Sequence, residues 1–331
     1  NSCAEVDFKL GLKPEELASV ICDYEALVVR SQTKVTPEIV QAGKKLRVIA
    51  RAGIGIDNVN VDEATRCGLV VGNAPTGNTI SAAEHTMALM LSLARHIPQA
   101  NSSLKSGQWR RNDFMGTELR NKTLGIVGLG SVGSEVARRA LGMEMRLIGY
   151  DPFVSLESAR NLKVELYAME QLLKEADFIT LHLPLTDTTR NLIGEKELRL
   201  VKPDVRIINC ARGGLIDERA LVEAVSEKRV AGAAVDVFPK EPVTDSILFE
   251  SDRIIVTPHL GASTAEAQVT VSQDVAMQIA DVFHGKPARY SVNAPFISAD
   301  MLSILAPFIK AVHTMGRVVS QLAEGQMNTI K

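Results

Sequence analysis

The stretch Thr123-Leu-Gly-Ile-Val-Gly128-Leu-Gly130-Ser-Val-Gly133 constrains this chain more than any other. An apolar run ends in G-x-G-x-x-G and opens an amphipathic segment, which is the pattern of a strand, a tight turn and a helix. The first glycine lets the chain reverse, the second lets backbone approach a pyrophosphate, and the third lets the helix pack on the strand. The helix N-terminus then offers free N–H groups and partial positive charge to phosphate oxygens. Taken alone, such glycines also occur in packing turns that bind nothing. Here the next apolar run, Arg146-Leu-Ile-Gly-Tyr150, ends at Asp151, about twenty residues past the glycines, where a carboxylate accepts hydrogen bonds from both ribose hydroxyls. That carboxylate would repel a 2′-phosphate, and no Arg follows it directly, so the pattern predicts NAD rather than NADP.

Around this loop, short apolar runs alternate with amphipathic stretches up to about residue 290, the rhythm of βαβ units in a parallel sheet. Strands are predicted at 26–30, 46–50 and 69–72, with helices starting near Thr36 and Val61. Ala82, Ala83, His85, Thr86, Ala88, Leu89, Leu93 and Ala94 predict a helix over 81–95, apolar nearly all round and hence buried between two domains. A second series of strands is expected at 123–128, 146–150, 178–182, 205–209, 231–236 and 253–257. Six strands with helices between them suit a doubly wound nucleotide-binding domain. A long helix from Thr264 to His284 stops at Gly285 and Pro287, and residues 300–323 form one more amphipathic helix. The 331 residues correspond to about two domains at roughly 100–200 residues each.

Ligands of open α/β sheets bind beyond the carboxyl ends of the strands. Three charged residues follow three different predicted strands: Arg212, Glu241 and His259. Arg offers a planar fork for a carboxylate, His exchanges a proton near neutral pH, and Glu beside His stabilises the imidazolium and orients the ring. With a nicotinamide, that set matches oxidation of an alcohol next to a carboxylate. The alternative readings are a structural ion pair for Arg212, a surface acid for Glu241 and a satisfied domain-seam histidine for His259. His182, ending a strand, is expected to line the cofactor cleft, whereas His85, His96, His284 and His313 fall within helical patterns and read as structural or solvated.

Several function classes are disfavoured. Lys and Arg number 37 against 39 Asp and Glu, so the whole-chain field attracts neither nucleic acid nor an acidic membrane. Hydrophobic residues at 46% and charged residues at 23% are ordinary for a globular chain. Cysteines at 3, 22, 67 and 210 are too few and scattered for a disulfide scaffold or a zinc site, which suggests a reducing, cytoplasmic compartment and no metal. No apolar run reaches the roughly 18 residues of a membrane helix, and no signal-peptide pattern opens the chain.

The loops also carry a resemblance. Arg51-Ala-Gly-Ile-Gly-Ile-Asp-Asn58, Asn73-Ala-Pro-Thr-Gly-Asn-Thr79, Gly128–Gly133, Asn209-Cys-Ala-Arg-Gly-Gly-Leu-Ile-Asp217, Asp236-Val-Phe-Pro-Lys-Glu-Pro242 and Pro258-His-Leu-Gly-Ala-Ser-Thr264 make residues 5–293 similar to the D-2-hydroxyacid dehydrogenases. The resemblance implies an α/β chain of two doubly wound parallel-sheet domains with the active site in the cleft between them. One is a Rossmann-type NAD-binding domain over 76–263. The other is a flavodoxin-like substrate domain, split between 1–75 and 264–293. It implies that Arg212, Glu241 and His259 are catalytic. The cofactor would meet Gly128, Gly130, Ser131, Val132, Gly133, Asp151, His182, Cys210, Asp236 and Gly261, with Asp236 on the nicotinamide amide. Substrate contacts would come from Asn78, Ile54, Gly55, Arg212 and His259, with Arg30 and Arg51 on a substrate phosphate.

The implied reaction is oxidation of 3-phosphoglycerate by NAD in a homo-oligomer joined through the nucleotide-binding domains, where Arg110 or Arg111 could reach the neighbouring subunit. A glyoxylate or hydroxypyruvate reductase, and an NAD-sensing corepressor-like binding protein, remain alternatives. Residues 294–331 fall outside the dehydrogenase pattern and resemble the entry into a further domain; their apolar stripe is expected to pack on the body or across a dimer. The start at Asn1, without the strand that normally precedes Val6, makes a segment of a longer chain the expectation.

Overall fold

The computed structural model describes residues 4–294 and 299–322. The chain divides into two compact units, residues 1–74 with 274–331, and residues 75–273. That division lies ten residues beyond the expected boundary at 264, inside a long helix.

In the first unit, helices α1 (Pro14–Val20), α2 (Pro37–Ala42) and α3 (Val61–Arg66) alternate with strands β1 (Ala26–Val29), β2 (Val48–Arg51) and β3 (Val70–Asn73). The strands pair in parallel in the order β1-β2-β3. Val48, Ile49 and Ala50 on the central strand are buried on both faces, which is why that segment reads as an unbroken apolar run. Leu17, Ile21, Ile39, Val40, Leu46 and Val71 complete the core. Asn58 ties two strand exits together: its Nδ2 donates to Arg30 O at 2.8 Å and to Thr33 O at 2.6 Å.

The second unit opens with α4 (Thr79–Arg95) and α5 (Ile97–Lys105). It continues through β4 (Thr123–Val127), α6 (Ser131–Gly142), β5 (Arg146–Tyr150), α7 (Leu156–Asn161), β6 (Glu165–Leu166), α8 (Met169–Glu175) and β7 (Phe178–Leu181). After these come α9 (Glu195–Leu198), β8 (Arg206–Asn209), α10 (Glu218–Ser226), β9 (Gly232–Val235) and β10 (Ile254–Val256). Seven parallel strands stand in the order β10-β9-β8-β7-β4-β5-β6. The order reverses between β4 and β7, so the loops leaving those strands diverge and open a crevice at their carboxyl ends. β4, β7 and β9 are buried along their whole length. Asp217 caps α10 by accepting from the Arg219 and Ala220 N–H groups.

Helix α11 (Ala265–Phe283) starts in the second unit and ends in the first. There Gln278, buried at 2% exposure, donates to Asn73 O at 2.8 Å and accepts from Tyr290 N at 3.2 Å. Asn293 then accepts from Val71 N, fastening the returning chain beside β3.

The structure differs from the expected pattern in three places. The two-residue edge strand β6 has no counterpart among the predicted strands. Helix α4 is not buried all round: Ile80, Glu84, Ala88, Leu91 and Arg95 form an exposed stripe at helical spacing, while Ala83, Met87, Met90 and Leu93 are buried. Helix α12 (Ala299–Leu322) has Met301, Ile304, Phe308, Val312, Met315 and Leu322 exposed, so among the described residues these are not covered by the body, and packing across a dimer is the expectation that stands.

Candidate active site

The three glycines of the turn after β4 stand in different surroundings. Gly128 has φ +95°, and a Cβ there would lie 2.5 Å from His182 O, because Gly128 and His182 are the first residues past the paired strands β4 and β7, still side by side before the loops part. A Cβ at Gly133 would lie 2.0 Å from Gly128 O, so only glycine lets α6 approach the turn. At Gly130 a Cβ would meet nothing within 4 Å. Gly130 is the N-cap of α6, so the open position adjoins the residues whose N–H groups start the helix, Ser131 and Val132, and the turn offers backbone and space suited to a pyrophosphate. Asp151 sits beside it: Oδ2 accepts from Leu129 N at 2.8 Å and Oδ1 from Phe153 N at 2.9 Å. Each oxygen keeps further acceptor capacity for a ribose. The fold therefore fits the adenosine diphosphate end of a dinucleotide. His182 hydrogen-bonds Thr180 Oγ1 through Nε2 at 3.0 Å, and the dense surroundings push its pKa down, so the ring is neutral.

Arg212, Glu241 and His259 follow β8, β9 and β10, three neighbouring strands, at their carboxyl ends. Buried Asn209 shapes the Arg212 loop, donating to Arg212 O at 2.9 Å and accepting from Ala211 N at 3.0 Å. Gly213 lets that loop pass against the next: a Cβ there would lie 1.9 Å from Phe238 C. Beyond β9, Glu241 Oε1 accepts from Phe238 N at 3.0 Å and Oε2 lies 2.6 Å from His259 Nδ1. Burial pushes the Glu241 pKa up, but the His259 and Phe238 hydrogen bonds outweigh it and hold the carboxyl below its ordinary value. An ionised carboxylate only accepts, so Nδ1 of His259 carries the hydrogen and Nε2 is left as the proton acceptor of the neutral ring. His259 itself has φ +54°, a left-handed conformation uncommon outside glycine.

Asp236, at the end of β9, is wholly buried. Oδ1 accepts from Leu260 N at 2.8 Å, from the Thr257 hydroxyl and from His85 Nε2 at 3.1 Å; Oδ2 accepts from Gly261 N at 2.9 Å. Burial raises its pKa, yet these donors together bring it below the usual carboxylate range. His85, Cys210 and Asp236 lie close enough to share a small cation. Three donors already occupy Asp236 Oδ1, however, and burial, aided by Asp236, pushes the Cys210 thiol up to about 12, and a thiol that keeps its proton is a poor metal ligand. His85 and Thr257 were not singled out by sequence as site residues. His85 lies within the apolar pattern of a helix, and its partner is 151 positions away.

In the first unit, Arg30 and Arg51 leave neighbouring strands at the same end, since Val29 and Arg51 are register partners. The Arg51 guanidinium folds over Gly53: a Cβ there would lie 1.6 Å from Nη1. Ile54 O accepts from Asn73 Nδ2 at 2.6 Å, and Gly55 beside it is half-buried. In the second unit, Asn78 precedes α4, and its buried Oδ1 accepts no hydrogen bond from any described residue. Arg110 pairs with Asp113 at 2.7 Å, and Arg111 begins a short 3-10 turn; both are exposed.

Known proteins resemble this chain in sequence and in fold. The D-isomer specific 2-hydroxyacid dehydrogenase NAD-binding domain matches residues 87–261. A D-3-phosphoglycerate dehydrogenase of Synechocystis sp. is 52% identical over 327 residues, covering 99% of this chain and 59% of that protein. The chain spans between 52% and 63% of the length of the curated relatives it matches. Among solved structures, a Thermus thermophilus protein superposes with a TM-score of 0.81 at 30% identity, over 87% of this chain and 92% of that one. A glyoxylate reductase from Paecilomyes thermophila gives 0.77 at 30%, over 84% and 87%. The glycine turn with its aspartate, the neighbouring Arg, Glu and His loops, and these matches lead to one conclusion: the chain belongs to the D-isomer specific 2-hydroxyacid dehydrogenases, with their NAD-binding domain in its second unit.

Proposed function

We propose that this chain carries the catalytic centre of an NAD-dependent dehydrogenase that oxidises 3-phospho-D-glycerate to 3-phosphohydroxypyruvate, the entry reaction of serine biosynthesis. The observation that carries the reading is the 2.6 Å pair between His259 Nδ1 and Glu241 Oε2, on a loop next to that of Arg212. NAD held at the glycine turn and Asp151 would supply the hydride acceptor for C2. His259 Nε2 removes the C2 hydroxyl proton, and ionised Glu241 stabilises the imidazolium that results. Arg212 holds the substrate carboxylate and polarises the forming carbonyl. In the reverse direction the same imidazolium returns the proton.

The identity of the substrate rests on the relatives' names and on Arg30 and Arg51, whose charges would match a phosphate. Asn78, with its buried acceptor oxygen, and the Ile54–Gly55 backbone are assigned to the same substrate. Asp236 and Gly261 are assigned to the nicotinamide end of the cofactor, and Cys210 and His182 to its surroundings. A homo-oligomer joined through the second unit is supported by the exposed apolar residues Ile80, Leu91, Ile97, Leu104 and Trp109 on and near α4 and α5. A cytoplasmic setting goes with the free thiols of Cys22, Cys67 and Cys210. No helix among the described residues is long and apolar enough to cross a membrane.

The test is a substrate panel with the purified protein and NAD: 3-phosphoglycerate, D-glycerate, and glyoxylate with NADH. Preference for 3-phosphoglycerate supports the proposal. Preference for glyoxylate would move the chain to the reductases, as the likeness to a glyoxylate reductase suggests. Binding of NADH with no turnover would favour a cofactor-sensing role.

A further inference from the structure

We propose that His85 is a positioning residue for the reaction, holding the His259 loop in place through the buried Asp236 carboxylate. The inference rests on the reading of His259 as the acid–base residue. The loop Thr257–Gly261 bears His259 in a left-handed conformation, φ +54°, which costs energy for a residue with a Cβ unless the surroundings fix it. What fixes it is one carboxylate. Thr257, two residues before His259, and Leu260 and Gly261, one and two residues after, all donate to Asp236.

That carboxylate is only as well placed as its own supports. Wholly buried, it needs its donors, because removing one leaves a charge in a low-dielectric interior short of a partner. Three of the four donors belong to the loop being held and tie it to Asp236 at the end of β9; they do not hold the carboxylate from outside that loop. His85 is the exception. It stands on α4, whose Ala83, Met87 and Met90 are buried in the core of the second unit. Its Nε2 lies 3.1 Å from Asp236 Oδ1 and 3.3 Å from Thr257 Oγ1. Facing an ionised carboxylate, Nε2 carries the hydrogen and donates. One turn earlier on the same helix, Ser81 Oγ bonds Thr264 Oγ1 at 2.7 Å, so α4 grips the segment at both ends of the turn that carries His259. Nothing in this cluster touches the reacting atoms directly through His85; its effect passes through Asp236 to the His259 backbone.

The test compares His85→Leu, His85→Asn and His85→Gln in the whole protein, measuring kcat and KM with NAD and 3-phosphoglycerate and with D-glycerate. Leucine keeps bulk without a donor, asparagine's amide stops short of Asp236, and glutamine's amide N–H extends to the position of Nε2. Expected is a fall in kcat of about 10- to 100-fold for Leu and Asn, the scale of a misplaced reacting group, with little change in the hydroxy-acid KM. Gln should recover most of that loss. Should Leu fail to fold, the contrast of Asn with Gln carries the same expectation. Wild-type kcat in Leu or Asn, or Gln no better than Asn, overturns the proposal and leaves His85 a packing residue. A wild-type protein that turns over no hydroxy acid overturns the acid–base reading itself, and this inference falls with it; the two failures are distinguished by the wild-type measurement.

Discussion

His259 Nδ1 lies 2.6 Å from Glu241 Oε2, while the other carboxylate oxygen accepts the Phe238 N–H at 3.0 Å. The glutamate is thus oriented from one side by backbone and presents its charge to the ring on the other. Replacing it with Gln removes the charge and keeps the shape. For Glu241→Gln the expected result is a kcat lower by about 100-fold, the scale for losing one aligned stabiliser of transition-state charge. NADH affinity, measured by fluorescence titration, should stay near the parent value. An unchanged kcat would remove Glu241 from the reaction.

The depressed pKa values of Glu241 and Asp236 fix the sign of a stability effect. Both groups release their protons more readily when folded than at their ordinary values of 4.5 and 3.8. Between the folded and unfolded pKa values the unfolded chain binds more protons, so stability rises with pH there. The contribution is complete above about pH 4.5 and is lost as pH falls through the folded values. Melting temperature followed down from neutral pH should therefore decline below that point, and Glu241→Gln should show a shallower decline than the parent.

Arg30 and Arg51 emerge at the same end of adjacent parallel strands, in register through Val29 and Arg51. If they hold the substrate phosphate, Arg30→Ala and Arg51→Ala should lower kcat/KM for 3-phosphoglycerate by about tenfold or more, the loss of one charge-assisted hydrogen bond of about 1.5–3 kcal/mol. Turnover of unphosphorylated D-glycerate should change little. Equal losses on both substrates would mean that these residues shape the loops and do not read the phosphate.

Asp151 uses both oxygens on backbone, at Leu129 N and Phe153 N, so its side chain is held before any cofactor arrives. Asp151→Asn gives up the charge and keeps only one of the two acceptors, leaving the Leu129 or Phe153 N–H facing an amide NH2. NAD affinity should fall by about tenfold, or about 1.4 kcal/mol, and the preference for NAD over NADP should narrow, because the repulsion of a 2′-phosphate is gone. Dissociation constants for both cofactors measure it; an unchanged ratio contradicts the role.

The legible and illegible parts of this molecule differ by how far information travels along the chain. The glycine turn, Asp151 and the charged residues ending β8, β9 and β10 are local patterns, because a buried parallel strand is an apolar run and its ligand-facing end is the next few residues. β6 escapes because two edge residues, Glu165 and Leu166, give no period to detect. The exposed stripe on α4 carries Ile80, Ala88 and Leu91 beside Glu84 and Arg95, so apolar side chains dilute the two charges that mark it. His85 escapes for a different reason: its role depends on Asp236, 151 residues away, and only the packing of α4 on the sheet brings the two together. The apolar face of α12 is legible as a stripe, but a stripe does not say what covers it.

The glycines of the nucleotide turn separate folding from binding. A Cβ at Gly133 would sit 2.0 Å from Gly128 O, against backbone that cannot yield, whereas one at Gly130 would meet nothing within 4 Å. Gly130 has φ −68°, which alanine adopts without strain. Gly133→Ala should therefore destabilise the protein by about 1–3 kcal/mol or more, as overpacking does, and weaken NADH binding as the turn is displaced. Gly130→Ala should leave the melting temperature close to the parent. Its methyl would project into the space that the pyrophosphate must enter, raising the NADH dissociation constant about tenfold or more. Calorimetry and NADH titration on the two variants read both effects. If Gly130→Ala bound NADH as the parent does, the open side of the turn would not be where the phosphates lie, and the second glycine would have no part in binding.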